Sequence, residues 1–316
     1  MPPVVKTTVL LMSVDEAPML SRSLPAALAQ EPRPEVVVVD NASTDETPEI
    51  AARHGAGYLR LPSRRTYAAA LNQAIADTDG EAVLLLNADC FLRPGFLAPM
   101  LRRLEDPAVG SVAPKLVRAG ESDEIDAAGM FVTRWRKNGL VGFGRPSTGF
   151  STPGDAFGAD GAAALYRRRT LEQCALGGGE ILDEDMALWA SDVDLAWRAQ
   201  LLGWRCAYEP RAVAEHIRRY SPATRQRMSP EARRLQFRNR YLMMVKNETR
   251  DGLRRDGLML AAYELLVLGH VLLRERHLLA AYRETWRLLP DARSRRRQVQ
   301  ARRQTPIAPF GLRPAR

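Results

Sequence analysis

Asn87 and Asp89 stand at alternate positions directly after an aliphatic run, in "EAVLLLNADC". That spacing just past a strand directs two polar groups into one cleft. One can hold a ribose hydroxyl while the carboxylate binds a divalent cation on a diphosphate. The plainer alternative is an ordinary turn, since Asp after a strand is also a common turn or cap residue. "PEVVVVDNASTDET" repeats the pattern, its valine run ending on Asp40 and Asn41, and the same two readings apply.

A third group of acids lies in "LDEDMALWASDVDLAWRAQLLGW": Asp183, Glu184, Asp185, Asp192 and Asp194. They are more than one short helix needs for solvation, although a solvated acidic face is the plain reading. Asp192 is expected in the first helical turn, where the macrodipole favours its ionised form. An ionised carboxylate in a cleft can accept a proton from an attacking hydroxyl. His216 closes "EPRAVAEH"; a lone histidine is usually structural, but a nearby acidic cation site makes it a candidate ligand. Trp189, Trp197 and Trp204 read as core, with Trp189 the best candidate for a sugar platform.

The elements that must position these residues alternate strand and helix. "TTVLLMSV" reads as a buried strand, Met19 to Ala29 as a helix, and "EVVVVD" as a second strand. Ser43 and Glu46 match a capping box, and Gly55 suits the stop of the helix that follows. Tyr67, Ala70, Leu71, Ala74 and Ile75 recur at helical spacing before "AVLLLNAD". This alternation implies a Rossmann-like α/β fold, a doubly wound, mostly parallel sheet with helices on both faces. Ligands in such sheets sit beyond the carboxyl ends of the strands, where Asp15, Asp40 and Asp89 would lie. "GSVAPKLV" reads as a strand and "KNGLVGFGRPSTGFSTPGDAFGADG" as a Gly-rich, mobile connection. A helix from Asp192 to Leu202 takes Ser191 as N-cap and Gly203 as stop, and "WRCAYEP" and "AVAEH" read as two short strands.

The 316 residues can bury a sizeable core. A net charge of +9 and a pI near 9.9 point to a polyanionic partner: nucleic acid, anionic lipid or a phosphorylated substrate. Arginine crowds the chain from Arg218 onward. That part lacks aromatic interleaving or zinc-ligand spacing, which argues against nucleic acid. Residues 1–218 therefore read as one domain and 219–316 as a basic helical extension. Its Leu-rich segment Gly257 to Leu273 is interrupted by Glu264 and His270, so it is expected to lie on a membrane or pack in a subdomain rather than span. Cys90, Cys174 and Cys206 show no ligand spacing, and no secretory apolar stretch follows "MPPVVKTT"; a reducing cytosol is the expected compartment.

Taken in order, these segments resemble the inverting family 2 glycosyltransferases of GT-A fold, in particular their rhamnosyltransferase-like bacterial members. The likeness runs from about Thr7 to Asn247. "VVVVDNASTDET" resembles the nucleotide-binding strand and loop, and "TYAAALNQAI" the next helix with its recurring Asn, here Asn72. "LLLNAD" resembles a variant Asp-x-Asp motif and "GADGAAALYRRRTLEQ" the acceptor-side segment. The acidic stretch through His216 resembles the region of the catalytic base, and "FRNRYLMMVKN" the helix after it. The resemblance implies that Asp40 contacts the nucleobase of a nucleoside-diphosphate sugar and Asn87 its ribose. It implies that Asp89 ligates Mg²⁺ or Mn²⁺, that Asp192 is the general base and that His216 is a further metal ligand. Asp15 is placed on the donor side, and Arg65 is the candidate for the donor phosphates. The implied acceptor is a saccharide or polyprenyl-linked saccharide of the bacterial envelope, met at the inner face of the membrane, with anionic lipid as a surface for the basic tail. Ser191 stands where the family usually has Glu, Asp15 and Glu16 where it often has Asn, and Asn87 replaces the first Asp of the motif.

Two other readings stay open. A sugar nucleotidyltransferase needs a Gly-rich, basic loop after the first strand, whereas "SVDEAPMLSRS" is acidic there and lacks Gly. A non-catalytic nucleotide-sugar-binding protein on a decayed transferase fold is kept open by the Ser191 and Asp15 departures.

Overall fold

The computed structural model describes residues 5–120, 123–220 and 222–314; the first four residues and the last two of the basic tail lie outside them. Strand β1 (Thr7–Ser13), helix α1 (Ala17–Leu28), β2 (Glu35–Asp40), α2 (Thr47–Arg53), β3 (Gly57–Arg60), α3 (Tyr67–Ala76) and β4 (Ala82–Asn87) alternate along the chain. β1 pairs in parallel with β2 and β4, and β2 with β3. Strands roofed on both sides by helices are buried on both faces, which is why β1, β2 and β4 read as continuous aliphatic runs. Leu10 and Met12 join Leu71 and Ile75 of α3 on one side; Val9 and Leu11 join Leu20 and Leu24 of α1 on the other. Each fully buried leucine of this kind contributes roughly 1.5–3 kcal/mol.

The second half of the sheet is mixed. It uses β5 (Cys90–Leu92), α4 (Leu97–Arg103), β6 (Val109–Arg118), β7 (Ile125–Ala127), a separate β8–β9 pair (Met130–Val132 and Asn138–Leu140), β10 (Gly154–Ala156) and β11 (Ala163–Arg167). Helices α5 (Arg168–Cys174) and α6 (Ser191–Leu201) and strand β12 (Arg205–His216) follow. The order across the sheet is β10-β12-β6-β11-β4-β1-β2-β3, with β5 on β12 and β7 on β6.

Three local expectations change. The Gly-rich connection is pinned rather than loose: Ile125 N–H donates to Arg145 O at 2.8 Å and Ala128 N–H to Val141 O at 2.9 Å. The two short strands before His216 are one, β12, with a register shift between Glu209 and Val213. Neither predicted serine cap forms, because each serine is placed differently. Ser43 Oγ accepts from Asp15 N–H while Asp45 serves Thr47, and Ser191 is already inside α6 after a left-handed Ala190. Gly55 and Gly203 do end their helices at positive φ, 62° and 84°.

Helices α7 (Pro230–Asn247), α8 (Arg250–Arg274) and α9 (Leu279–Arg302) complete the chain. Leu242, Met243 and Val299 of α7 and α9 pack on Val193 and Trp197 of α6. Arg136, fully buried, pairs with Glu248 at 2.5 Å and Asp256 at 2.7 Å. The α9 arginines turn inward too: Arg296 donates to the carbonyls of Val245 and Glu248, and Arg302 to those of Gln173 and Ala175. By length and composition α8 could cross a bilayer: it has 25 residues, and an 18-residue window within it has a mean hydropathy of 1.6. Its inner flank is tied down, Asp256 by Arg134 and Arg136 and Glu264 by Arg240 and Tyr241.

Candidate active site

The antiparallel register of β5 on β12 sets Cys90 opposite His216 and so delivers Asp89, at the exit of β4, to the histidine. Ile217 N–H fixes Asp89 further by donating to its carbonyl at 3.0 Å. His216 Nε2 then lies 3.5 Å from Asp89 Oδ1. The other ring nitrogen, Nδ1, donates to Asp126 Oδ2 at 2.8 Å. Asp126, in β7 and fully buried, takes two more hydrogen bonds from Arg218, at 2.6 and 2.8 Å, and Arg218 also reaches Asp160 at 2.8 Å. Burial pulls the His216 pKa down, but the Asp126 hydrogen bond, the Asp89 carboxylate beside the ring and the Asp160 charge push it up to about 9.

Asp192 lies in the first turn of α6. Its Oδ2 accepts from Gly161 N–H at 3.2 Å and its Oδ1 from Val193 N–H at 2.8 Å. Burial, followed by the charge of Asp160, pushes its pKa up to about 6 against those hydrogen bonds. Tyr67 connects the two ends of the site. Its hydroxyl lies 3.2 Å from Asn87 Oδ1 and 3.3 Å from Gly161 O, and it feels the charges of Asp192, Asp160 and Asp89 together. Asn87, Asp89, His216 and Asp192 thus gather at one carboxyl edge of the sheet, around Tyr67.

The other predicted residues lie farther along that edge. Asp40 is two strands from β4, about 10 Å by strand spacing. Its buried carboxylate accepts from Ser43 N–H at 2.7 Å, Tyr58 Oη at 2.5 Å and Arg60 at 2.7 Å, so it also braces its own loop. Asp15, left-handed at φ 53°, accepts from Thr44 N–H at 2.7 Å and pairs with Arg64, whose hydrogen bond holds its pKa below the usual carboxylate range. The backbone N–H and C=O of Arg65 are both held by the Asn41 side chain, and its half-exposed guanidinium lies 3.6 Å from Glu184.

The loop leading into Asp192 is clamped from several sides. Asn72 Oδ1 accepts from Ile181 N–H at 3.1 Å and Leu182 N–H at 2.8 Å. Lys246, buried, pairs with Asp183 and, at 3.0 Å, with Asp194. Arg295 bridges Glu180, Asp183 and Asp185. Asn239 Nδ2 donates to the carbonyls of Leu188 at 2.7 Å and Trp189 at 2.9 Å. Those bonds hold Trp189 and Ala190 at φ 70° and 67°, a conformation costing a non-glycine residue about 1–2 kcal/mol. The acidic run therefore divides by role: Asp183, Asp185 and Asp194 anchor the C-terminal helices, and Asp192 faces the site. Of the tryptophans, Trp197 is core, Trp204 donates to Gln173, and Trp189 packs edge-on against Tyr220 at 6.0 Å.

The donor set suits a hard divalent cation that keeps positions open for substrate. Asp89 Oδ1 is buried without a hydrogen-bond partner and lies 3.5 Å from His216 Nε2, the ring nitrogen not engaged by Asp126, which would give up its proton on binding a cation. Among the described residues no three His, Cys, Asp or Glu gather around one ion. A two-residue set is what Mg²⁺ or Mn²⁺ uses when substrate phosphates complete its shell. The sequence reading missed Asp126, Asp160 and Arg218. Asp160 falls at the end of the Gly-rich connection, and the other two acquire meaning only through pairing of β7 and β12 with β6.

A half-parallel, mixed sheet flanked by helices, with this acidic edge, is the architecture of the GT-A fold. The chain belongs to glycosyl transferase family 2, whose model matches residues 8–174, more than half of its length. Among curated relatives it is 27% identical over 248 residues to the N-acetylglucosaminyl-diphospho-decaprenol L-rhamnosyltransferase of Mycobacterium tuberculosis, covering 67% of this chain and 76% of that one. It is 36% identical over 98 residues to the succinoglycan biosynthesis protein ExoU of Rhizobium meliloti, 29% of each chain. It is 23% identical to the poly-beta-1,6-N-acetyl-D-glucosamine synthase of Staphylococcus epidermidis, over 65% of this chain and 48% of that one. The chain thus spans less than half the length of these last two relatives. In fold it is similar to the mannosyltransferase PcManGT of Pyrobaculum calidifontis in complex with GDP-Man and Mn2+, with TM-score 0.54, 20% identity and coverage of 94% and 85%. It is likewise similar to S. aureus TarS 1-349 in complex with UDP-GlcNAc, with TM-score 0.59, 16% identity and coverage of 94% and 83%.

Proposed function

We propose that this chain is an inverting, cation-dependent glycosyltransferase. It moves a sugar from a nucleoside-diphosphate sugar to a saccharide or polyprenyl-linked acceptor at the inner face of the bacterial membrane. One observation carries the reading: Asp192, its pKa raised to about 6, shares Tyr67 and Gly161 with the edge that holds Asp89 and His216. Rhamnose is the first candidate sugar, on the likeness to the mycobacterial enzyme.

Asp192 takes the proton of an acceptor hydroxyl as its oxygen attacks the anomeric carbon. The bond from that carbon to the phosphate oxygen breaks on the opposite side, its electrons stay on the diphosphate, and the configuration inverts in one displacement. Asp89 and His216 would hold the cation, whose chemistry is to offset negative charge developing on the leaving diphosphate. Asn87 serves the ribose, Asp40 the nucleobase, and Asp15 and Arg65 the donor rim.

The test incubates the protein with nucleotide sugars, Mn²⁺ and a polyprenyl-linked saccharide. Expected are release of the nucleoside diphosphate and a product of inverted anomeric configuration, both abolished in Asp192→Asn while donor binding persists. Pyrophosphate release from a nucleoside triphosphate and a sugar phosphate would favour a nucleotidyltransferase. Donor binding with no turnover on any acceptor would favour a binding protein.

A further inference from the structure

Helix α8 presents a stripe of leucines to the outside. Leu258, Leu265, Leu266, Leu272 and Leu273 recur at helical spacing with only Ala and Gly between them on that face. Leu258 is 92% exposed, Leu266 74% and Leu273 78%. The stripe runs about 22 Å at the helical rise. Exposed Arg254 lies on the same face at its start, and exposed Arg276, in the turn just after α8, closes its far end by donating to the Leu272 carbonyl. The opposite flank, with Asp256, Leu260 and Val271, is buried against the rest of the chain. The helix therefore lies along the body and offers one apolar side outward.

We propose that this stripe is a docking surface for an anionic lipid bilayer, with α8 lying in the plane of the interface. Charge selects this occupant over a second copy of the chain. Residues 219–316 carry 23 Lys and Arg against 8 Asp and Glu, a net of +15, whereas residues 1–218 sum to −6. Two copies meeting through α8 would bring like charges together, while anionic headgroups take the arginines as the leucines enter the acyl boundary. The α9 arginines, which the sequence suggested for this task, are in part spent inside: Arg295 on Glu180, Asp183 and Asp185, and Arg296 and Arg302 on carbonyls. The inference rests on the proposed function only for its purpose, the meeting with a lipid-linked acceptor.

The full chain is sedimented with phosphatidylcholine vesicles with and without about 30% phosphatidylglycerol, an anionic lipid of the kind basic surfaces recognise. Nucleotide-sugar binding is measured in parallel. Binding to the anionic vesicles is expected. It should fall at least tenfold in Leu258→Gln/Leu265→Gln/Leu273→Gln and severalfold in Arg254→Gln/Arg276→Gln, with donor binding unchanged in both. Absence of binding by the parent chain, or equal binding by the leucine variant, overturns the proposal. So does a dimer that the leucine variant dissociates in sedimentation velocity while its vesicle binding stays. Lost vesicle binding with intact donor binding would leave the glycosyltransferase reading standing, and the reverse result would remove that reading alone.

Discussion

Asp126 Oδ2 accepts the Nδ1 proton of His216 at 2.8 Å, which turns Nε2 of the ring toward Asp89. A carboxylate behind a histidine fixes its tautomer and orientation, and removing such a partner typically costs 10–100-fold in metal affinity. Asp126→Asn is expected to weaken Mn²⁺-dependent nucleotide binding by about that factor. Titration calorimetry with UDP, GDP and dTDP at several Mn²⁺ concentrations measures it. An unchanged Mn²⁺ dependence would show that Asp126 merely fills space.

The pKa of Asp192, about 6 in the free protein, sets an acid limb: kcat/KM should fall as pH drops through that value because the base becomes protonated. Asp160→Asn removes a negative charge that disfavours ionisation, so the limb should move to lower pH. Stability carries the matching sign. Between the ordinary Asp value and about 6 the folded protein holds a proton that the unfolded chain has lost, so this group's contribution falls as pH rises through that window. A limb that stays in place in Asp160→Asn would refute the coupling.

Lys246 is buried between Asp183 and Asp194. Lys246→Met removes one cation shared by two buried carboxylates, with Arg295 still on Asp183 and Arg198 still on Asp194, and is expected to cost about 3 kcal/mol, the low end of the range for breaking a buried pair. Urea unfolding measures it. A cost below about 1 kcal/mol, typical of an exposed pair, would mean that the joint between α7 and the catalytic loop is wet.

Asn239 holds the left-handed corner at Trp189 and Ala190 by two carbonyls. Asn239→Ala should let that corner relax and displace Asp192, lowering kcat roughly 10-fold or more while leaving the KM for donor near its original value. A raised donor KM at unchanged kcat would place the corner in donor binding instead, and a loss of folded fraction in urea unfolding large enough to account for the fall in kcat would assign the effect to instability.

The parallel half of the fold was readable because burial on both faces writes itself as valine and leucine runs, and each run ends on a polar residue at the ligand edge. Asn87, Asp89 and Asp192 were readable for that reason and through resemblance. His216 needed the β5–β12 register to meet Asp89. Asp126, Asp160 and Arg218 left no local trace, because their contacts join segments about 60 to 90 residues apart. The acidic run before Asp192 misled in a similar way: most of its charges answer Lys246 and Arg295, which lie far downstream.

The most direct measurement is a thermal-shift panel of UDP-, GDP- and dTDP-sugars with and without Mn²⁺, on the parent chain and on Asp89→Ala, His216→Ala and Asp192→Asn. The account predicts that one nucleotide class stabilises the parent only when Mn²⁺ is present, that Asp192→Asn keeps this response, and that Asp89→Ala and His216→Ala lose it. Donor stabilisation that needs no cation, or that survives Asp89→Ala, would contradict it.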